Sequence, residues 1–124
     1  SAQTLLSGGD KYFAYSGEVF GDVSVPATIS MILIPNTGLR DSYVEIQPLF
    51  GKPANNTVSN ALGIAIKLDD VQILQQSLAE GNIKVDLPTI KLFLPRQSKL
   101  EIISLNTSGN NTQIRSANLI GYYL

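Results

Sequence analysis

Apolar residues recur along most of this chain with period two, and turn-forming clusters interrupt them at fairly regular intervals, the pattern of an all-β protein. Lys11 to Phe20 and Val23 to Ile34 are rich in aromatic and β-branched residues and predict the first two strands, separated by a tight break at Gly21-Asp22. Pro26 weakens the start of the second, because proline has no N–H to give to a ladder. Pro35-Asn36-Thr37-Gly38 predicts a turn, since Pro fixes φ while Asn and Gly accept positive φ. Val44 and Ile46 alternate with Tyr43, Glu45 and Gln47, as in a strand with one buried and one wet face, and that strand ends near Gly51-Lys52-Pro53. The short polar residues from Ala54 to Asn60 predict an exposed loop.

Further along, Leu62, Ile64, Ile66 and Leu68 share one face of a strand, with Gly63, Ala65 and Lys67 on the other. Val71 to Leu74 predicts a strand after a bend at Asp69-Asp70, in preference to a short helix over Val71 to Glu80 that the spacing of Leu74 and Leu78 would also allow. Ile83 to Leu87 alternates cleanly, and Pro88 separates it from Ile90 to Leu94, which argues for an edge or a bend. Pro95 to Ser98 is a turn, Lys99 to Leu105 a strand, Asn106 to Thr112 a polar loop and Gln113 to Leu124 a closing strand. About eight strands with no strong helix predict an antiparallel β-sandwich. An eight-stranded jelly roll is favoured over an immunoglobulin-like sandwich, whose Cys and Trp core markers are missing here. The length of 124 residues suits one domain, residues 1–124.

Composition then narrows the function. The chain has no His, Cys or Trp, and 15% of its residues are charged, against about 25% in a typical soluble domain. Missing imidazole and thiol groups argue against most acid-base, nucleophilic and zinc enzymes, so no enzyme activity and no cofactor are expected. A surface poor in charge is one suited to being covered by a partner. The formal net charge of −1 gives no basis for binding nucleic acid. No apolar stretch approaches the roughly 20 residues needed to cross a bilayer, and no basic-then-apolar leader opens the sequence, so no membrane association is expected.

Among chemical constellations, Asp69-Asp70 with Glu80 or Asp86 could supply oxygen ligands to Ca²⁺, but the spacing matches no EF-hand and adjacent Asp residues favour a bend. Paired carboxylates for glycoside hydrolysis carry little weight, because ten acidic residues make some pair inevitable. Arg40-Asp41 suggests a local ion pair that pins its loop, or an intersubunit contact. Tyr12, Phe13, Tyr15, Tyr43, Tyr122 and Tyr123 could form a platform for a sugar or a partner subunit, although core packing explains the same residues. Asn-X-Ser/Thr sequences at Asn55, Asn106 and Asn110 fall in expected loops, where such triplets arise by chance.

The run Phe93-Leu94-Pro95-Arg96-Gln97-Ser98-Lys99-Leu100-Glu101-Ile102, the Ser/Gly/Asn loop after it and the apolar ending Gly121-Tyr122-Tyr123-Leu124 resemble the end of small jelly-roll capsid proteins. The resemblance covers roughly the last third of the chain and is to viral (phage) vertex, or penton, and capsid-decorating proteins. It implies a homo-oligomer, commonly a trimer or pentamer, seated on an icosahedral shell in the virion. Trimeric tumour-necrosis-factor-like jelly rolls end similarly, which keeps the fold and leaves the function open. Two readings follow. One is a structural capsid subunit that binds copies of itself and other capsid proteins. Its candidate interface residues are Tyr12, Phe13, Tyr15, Arg40, Tyr43, Leu119, Tyr122 and Tyr123. The other is a carbohydrate- or receptor-binding module that uses the loops around Asn55 to Asn60 and Asn106 to Thr112 with exposed Tyr.

Overall fold

Alternation of apolar and polar side chains builds two antiparallel sheets whose inner faces share one core. The computed structural model describes residues 4–17, 19–21, 27–51, 62–77, 85–86, 89–106 and 113–124. Among these are eleven strands: β1 (Thr4–Gly8), β2 (Lys11–Tyr15), β3 (Val19–Gly21), β4 (Ala27–Ile34), β5 (Ser42–Gly51), β6 (Leu62–Leu68), β7 (Val71–Ser77), β8 (Val85–Asp86), β9 (Ile90–Leu94), β10 (Leu100–Asn106) and β11 (Gln113–Tyr123). The first sheet runs β1-β2-β11-β5-β8, with β3 beside β2 along β11 and β9 beside β8 along β5; the second runs β4-β10-β6-β7.

The pairings follow one rule. From the two ends of the chain inward, β2 and β3 pair with β11, β4 with β10, β5 with β8 and β9, and β6 with β7. That is a single long hairpin rolled up, closed by β11 against β5 and β10 against β6. The result is the jelly-roll sandwich expected from the sequence, with β1 added as an outer strand. Inner-face residues of both sheets, among them Ala14, Val44, Ile46, Ala117 and Leu119 from the first and Ile32, Ile64, Ile66, Leu100 and Ile102 from the second, form one buried cluster.

Three local expectations change. β1 was not anticipated, although Gly9-Asp10 between Leu5-Leu6 and Tyr12-Phe13 is a hairpin signal; Gly9 takes φ 60° and Gly8 pairs with Lys11. The strand expected over Lys11 to Phe20 is interrupted after Tyr15, where Ser16 stands in for the ladder. Its N–H donates to the Ala117 carbonyl (3.0 Å), its Oγ accepts from the Ala117 N–H (2.8 Å) and donates to the Gly17 carbonyl (2.7 Å), and the residue is fully buried. Replacing Ser16 with Ala orphans the buried Ala117 N–H and is expected to cost about 1–3 kcal/mol, read as a lowered midpoint in urea with an unchanged slope. β7 extends to Ser77, beyond Leu74. The strand expected to end near Gly51 does so as β5, and Pro48 lies within it where pairing passes from Ile46 with Ile90 to Leu49 with Asp86, so a residue without an N–H occupies the gap between the two partners. Gly21 ends β3, whereas Asp22 and the expected loop residues 54–60 and 107–112 lie outside the described residues.

The turns behave as their residues dictate. Asp69 and Asp70 adopt φ 51° and 67°, a two-residue hairpin with both centres left-handed. Gly38 takes φ 91°, and its N–H donates to Asn36 Oδ1 at 2.8 Å.

Candidate functional site

The strand alternation sorts the aromatic residues onto different surfaces. Along β2, β5, β9 and β11 the residues Ala14, Val44, Ile46, Ile90, Leu94, Ala117 and Leu119 point inward, so their neighbours Phe13, Tyr15, Tyr43, Phe93, Ile120 and Tyr122 point outward. Register then sets them side by side. Lys11, Tyr122, Tyr43 and Phe93 form one row across four strands; Phe13, Ile120, Glu45 and Lys91 form the next; Tyr15, Asn118 and Gln47 form a third. Neighbouring strands lie about 4.8 Å apart, so each row is a continuous strip of contacts. Phe93 is 53% exposed, and Tyr15 and Leu49 are exposed as well, while Phe13, Tyr43, Ile120 and Tyr122 are half-buried by one another and by their row neighbours. The Lys11 ammonium lies 5.6 Å from the Tyr122 ring centroid, a cation–π contact at the rim. Opposite charges face each other at Glu45 and Lys91. The three rows therefore carry aromatic and aliphatic side chains together with the polar Asn118 and Gln47 and the charged Lys11, Glu45 and Lys91, and Asp86 of β8 takes the register position opposite Leu49 beside them.

The remaining expected interface residues sit elsewhere. Leu119 is fully buried between Ala14 and Ile46 in the core, a correction to its reading as an interface residue: Ala117 and Leu119 of β11 face the opposite sheet. Tyr12, Tyr123 and Arg40 gather at one end of the sandwich. Tyr12 pairs with Gly121, and because Gly121 has no side chain the Tyr12 ring lies across β11 and brings its hydroxyl to Ser42 Oγ on β5, 2.7 Å away. The Tyr12 and Tyr123 ring centroids are 5.0 Å apart at 44°, and the Arg40 guanidinium lies 4.8 Å from the Tyr123 centroid. Arg40 reaches Asp10 at 3.4 Å and not the adjacent Asp41, whose Oδ1 instead accepts the Arg96 N–H at 2.8 Å. Both members of the Arg40–Asp10 pair are largely exposed, so the pair contributes little stability.

Burial pushes the Tyr12 phenol above its ordinary value, opposed by the bond to Ser42 and aided by Tyr123. A raised folded-state value means that the stabilising contribution is complete below about pH 10, the ordinary value, and is lost as pH rises through the higher folded one. Spectrophotometric titration is expected to show one late-ionising tyrosine that disappears in Tyr12→Phe, whose stability should fall less steeply above pH 10 than the parent's.

The acidic bend has a structural role. Asp69 Oδ1 accepts the Lys99 N–H (2.8 Å), the Asp69 N–H donates to the Lys99 carbonyl (2.9 Å), and Asp70 pairs with Lys99 Nζ (2.7 Å). That hydrogen bond and the ammonium charge hold the Asp70 carboxyl below its usual range. Asp86 belongs to the other sheet, Glu80 lies outside the described residues, and among the described residues no three His, Asp or Glu side chains converge as metal ligands. No helix among the described residues is long and apolar enough to cross a membrane.

Fold and site together define a jelly-roll β-sandwich with an aromatic outer face on its larger sheet. No protein-family model and no curated protein matches the chain. Solved structures do. The chain resembles the VP2 subviral particle of infectious bursal disease virus with TM-score 0.52 and 14% identity, over 91% of this chain and 32% of that one. It also matches the structure of the Gx strain of that virus (TM-score 0.49, 10% identity, 98% and 33% of the two chains). A third match is the C-terminal domain of the sugar-binding protein EclA (TM-score 0.47, 16% identity, 84% and 77%). The chain spans about a third of the length of the viral chains it matches. At these identities the likeness is one of fold, a β-sandwich of the kind found in a viral capsid protein.

Proposed function

We propose that this chain is a structural subunit of a viral capsid, of the minor capsid, vertex or decoration type, which works in the virion by self-association and by binding other shell proteins and carries out no chemistry. The observation that carries the reading is the outer face of the larger sheet, where Phe13, Tyr15, Tyr43, Phe93, Ile120 and Tyr122 lie in adjoining rows. Water-exposed apolar and aromatic area of this kind is stabilised when covered, and aromatic residues are enriched at interfaces. The fold likeness to VP2 supports the class.

Native mass spectrometry of the chain tests it. The expected result is a trimer or pentamer in the parent and a shift toward monomer in Phe93→Asp/Ile120→Asp, with thermal stability retained because both side chains point away from the core. Retained assembly in that variant overturns the assignment of the face. A monomeric parent that binds immobilised glycans favours a carbohydrate-binding module.

A further inference from the structure

Among the described residues β1 is a fifth strand on the path of the first sheet, whereas the second sheet has four and ends at β4, which approaches β3 and β11. The inner side of β1 therefore overhangs the core. Leu5 stands in register with the inward Ala14 and Ser7 with Tyr12, yet Leu5 is 50% exposed. Beneath this ledge a cavity of about 160 Å³ opens between the β1–β2 hairpin and the turn after β4. Burial gives it a direction. Of the residues that line it, Ile34 and Thr37 are buried, Tyr12, Phe13 and Tyr123 half-buried, and Leu5, Ser7 and Asn36 exposed, so floor, walls and mouth follow in that order.

The lining chemistry selects the guest. On the floor, the Thr37 N–H donates to the Ser98 carbonyl (2.8 Å), and Thr37 Oγ1 donates to the Pro95 carbonyl (2.7 Å) and accepts the Ser98 N–H (3.0 Å). The Tyr12 hydroxyl is held by Ser42 at 2.7 Å. Three groups have no hydrogen-bond partner among the described residues: the Ser7 hydroxyl, the Tyr123 hydroxyl and the Asn36 amide nitrogen, whose oxygen accepts the Gly38 N–H. Two of the three belong to mouth residues. No charged residue lines the cavity, and Arg40 and Asp10 beyond it pair with each other. The matching guest is thus uncharged, apolar where it meets Ile34 and the Tyr12 ring, and polar at the end that stays in the mouth.

Size narrows the class further. An apolar space of roughly 150 Å³ takes a benzene-sized guest. A pyranose carries hydroxyls around its ring, and those turned toward the floor would lose water while meeting polar groups that are already bonded, at a cost for each. The turn that forms the floor is held in place by the Thr37 bonds and by the Gln97 N–H on the Gly38 carbonyl (2.8 Å), so little ordering accompanies binding.

We propose that this cavity is a binding site for a small neutral ring compound with a single hydroxyl or carbonyl, held with its ring toward Ile34 and its polar group at Ser7 and Asn36. The site goes beyond the assembly role above and is independent of the sheet face.

The test is an amide-resolved NMR titration of the full chain with phenol as the probe and methyl α-glucoside as the comparison. Phenol is expected to give saturable shifts centred on Ser7, Asn36 and Tyr123 with a dissociation constant of about 1 mM, and its ring protons should show contacts to the Ile34 methyls. Methyl α-glucoside should bind at least about tenfold more weakly. Ser7→Trp, which fills the cavity from its mouth, should weaken phenol at least about tenfold, and Leu5→Asn, which keeps the volume but makes the mouth polar, about fivefold. Leu5 and Ser7 are both exposed, so melting temperatures should stay near the parent's. The Phe93→Asp/Ile120→Asp variant should bind phenol as the parent does, whatever its state of assembly. Absence of saturable phenol shifts, shifts centred on the Phe93 and Ile120 face, undiminished binding in both mouth variants, or a glucoside that binds as tightly as phenol each overturns the proposal.

Discussion

Gly121→Ala is expected to destabilise the fold by about 2–4 kcal/mol, a large loss for one methyl group. A Cβ built on Gly121 meets three atoms of the Tyr12 ring far inside contact distance. The ring cannot yield easily: it pairs in register across from Gly121, packs against Tyr123 and the core, and is tethered to Ser42. Overpacking costs about 1–3 kcal/mol, and expelling the ring also gives up a part-buried hydrogen bond of about 1 kcal/mol. Chemical denaturation of Gly121→Ala, Tyr12→Ala and the double variant would measure this. The alanine should be far better tolerated once the ring is gone, with a coupling of at least 1 kcal/mol. Additive effects would show that the Tyr12 ring is not what forbids a side chain at Gly121.

The second large effect concerns Leu119. Truncation to Ala should cost about 2–5 kcal/mol through lost transfer energy and a residual cavity, and Leu119→Asp should leave the chain unfolded, because that loss plus an unpaired buried carboxylate rivals a total stability of about 5–15 kcal/mol. Circular dichroism would show a coil spectrum for the Asp variant. A folded Leu119→Asp chain would contradict the fully buried position between Ala14 and Ile46. A charge at Leu119 therefore reports on folding, and assembly has to be probed at outward residues such as Phe93 and Ile120.

The difference between Leu119 and Phe93 shows how far the site was legible. Both are apolar residues in alternating strands, and period two says only that neighbours point to opposite sides. Which side is the core depends on which sheet lies opposite. Phe93 passed as part of a closing run and Ile120 as part of an apolar strand, yet both face outward and complete the aromatic rows. Arg40 shows the same dependence: its sequence neighbour Asp41 is a plausible partner, but the turn directs Asp41 to the Arg96 N–H and brings Asp10, 30 residues away, to the guanidinium.

The sequence by itself determined the class and most of the punctuation. Strict alternation and β-branched residues allow little but strands; Gly9-Asp10, Asn36 to Gly38, Asp69-Asp70 and Gln97 place positive φ where the chain reverses; Pro88 stands between β8 and β9. These are local effects, fixed by backbone sterics and by the bonds a residue makes to its neighbours. The tertiary structure alone decided which strands became partners, because pairing β2 with β11 across about a hundred residues depends on closing the whole roll and not on any local preference. From that closure follow the Tyr12 ring over Gly121, the burial of Leu119 and the rows that cross four strands. Each joins residues that no pattern read along the chain could bring together.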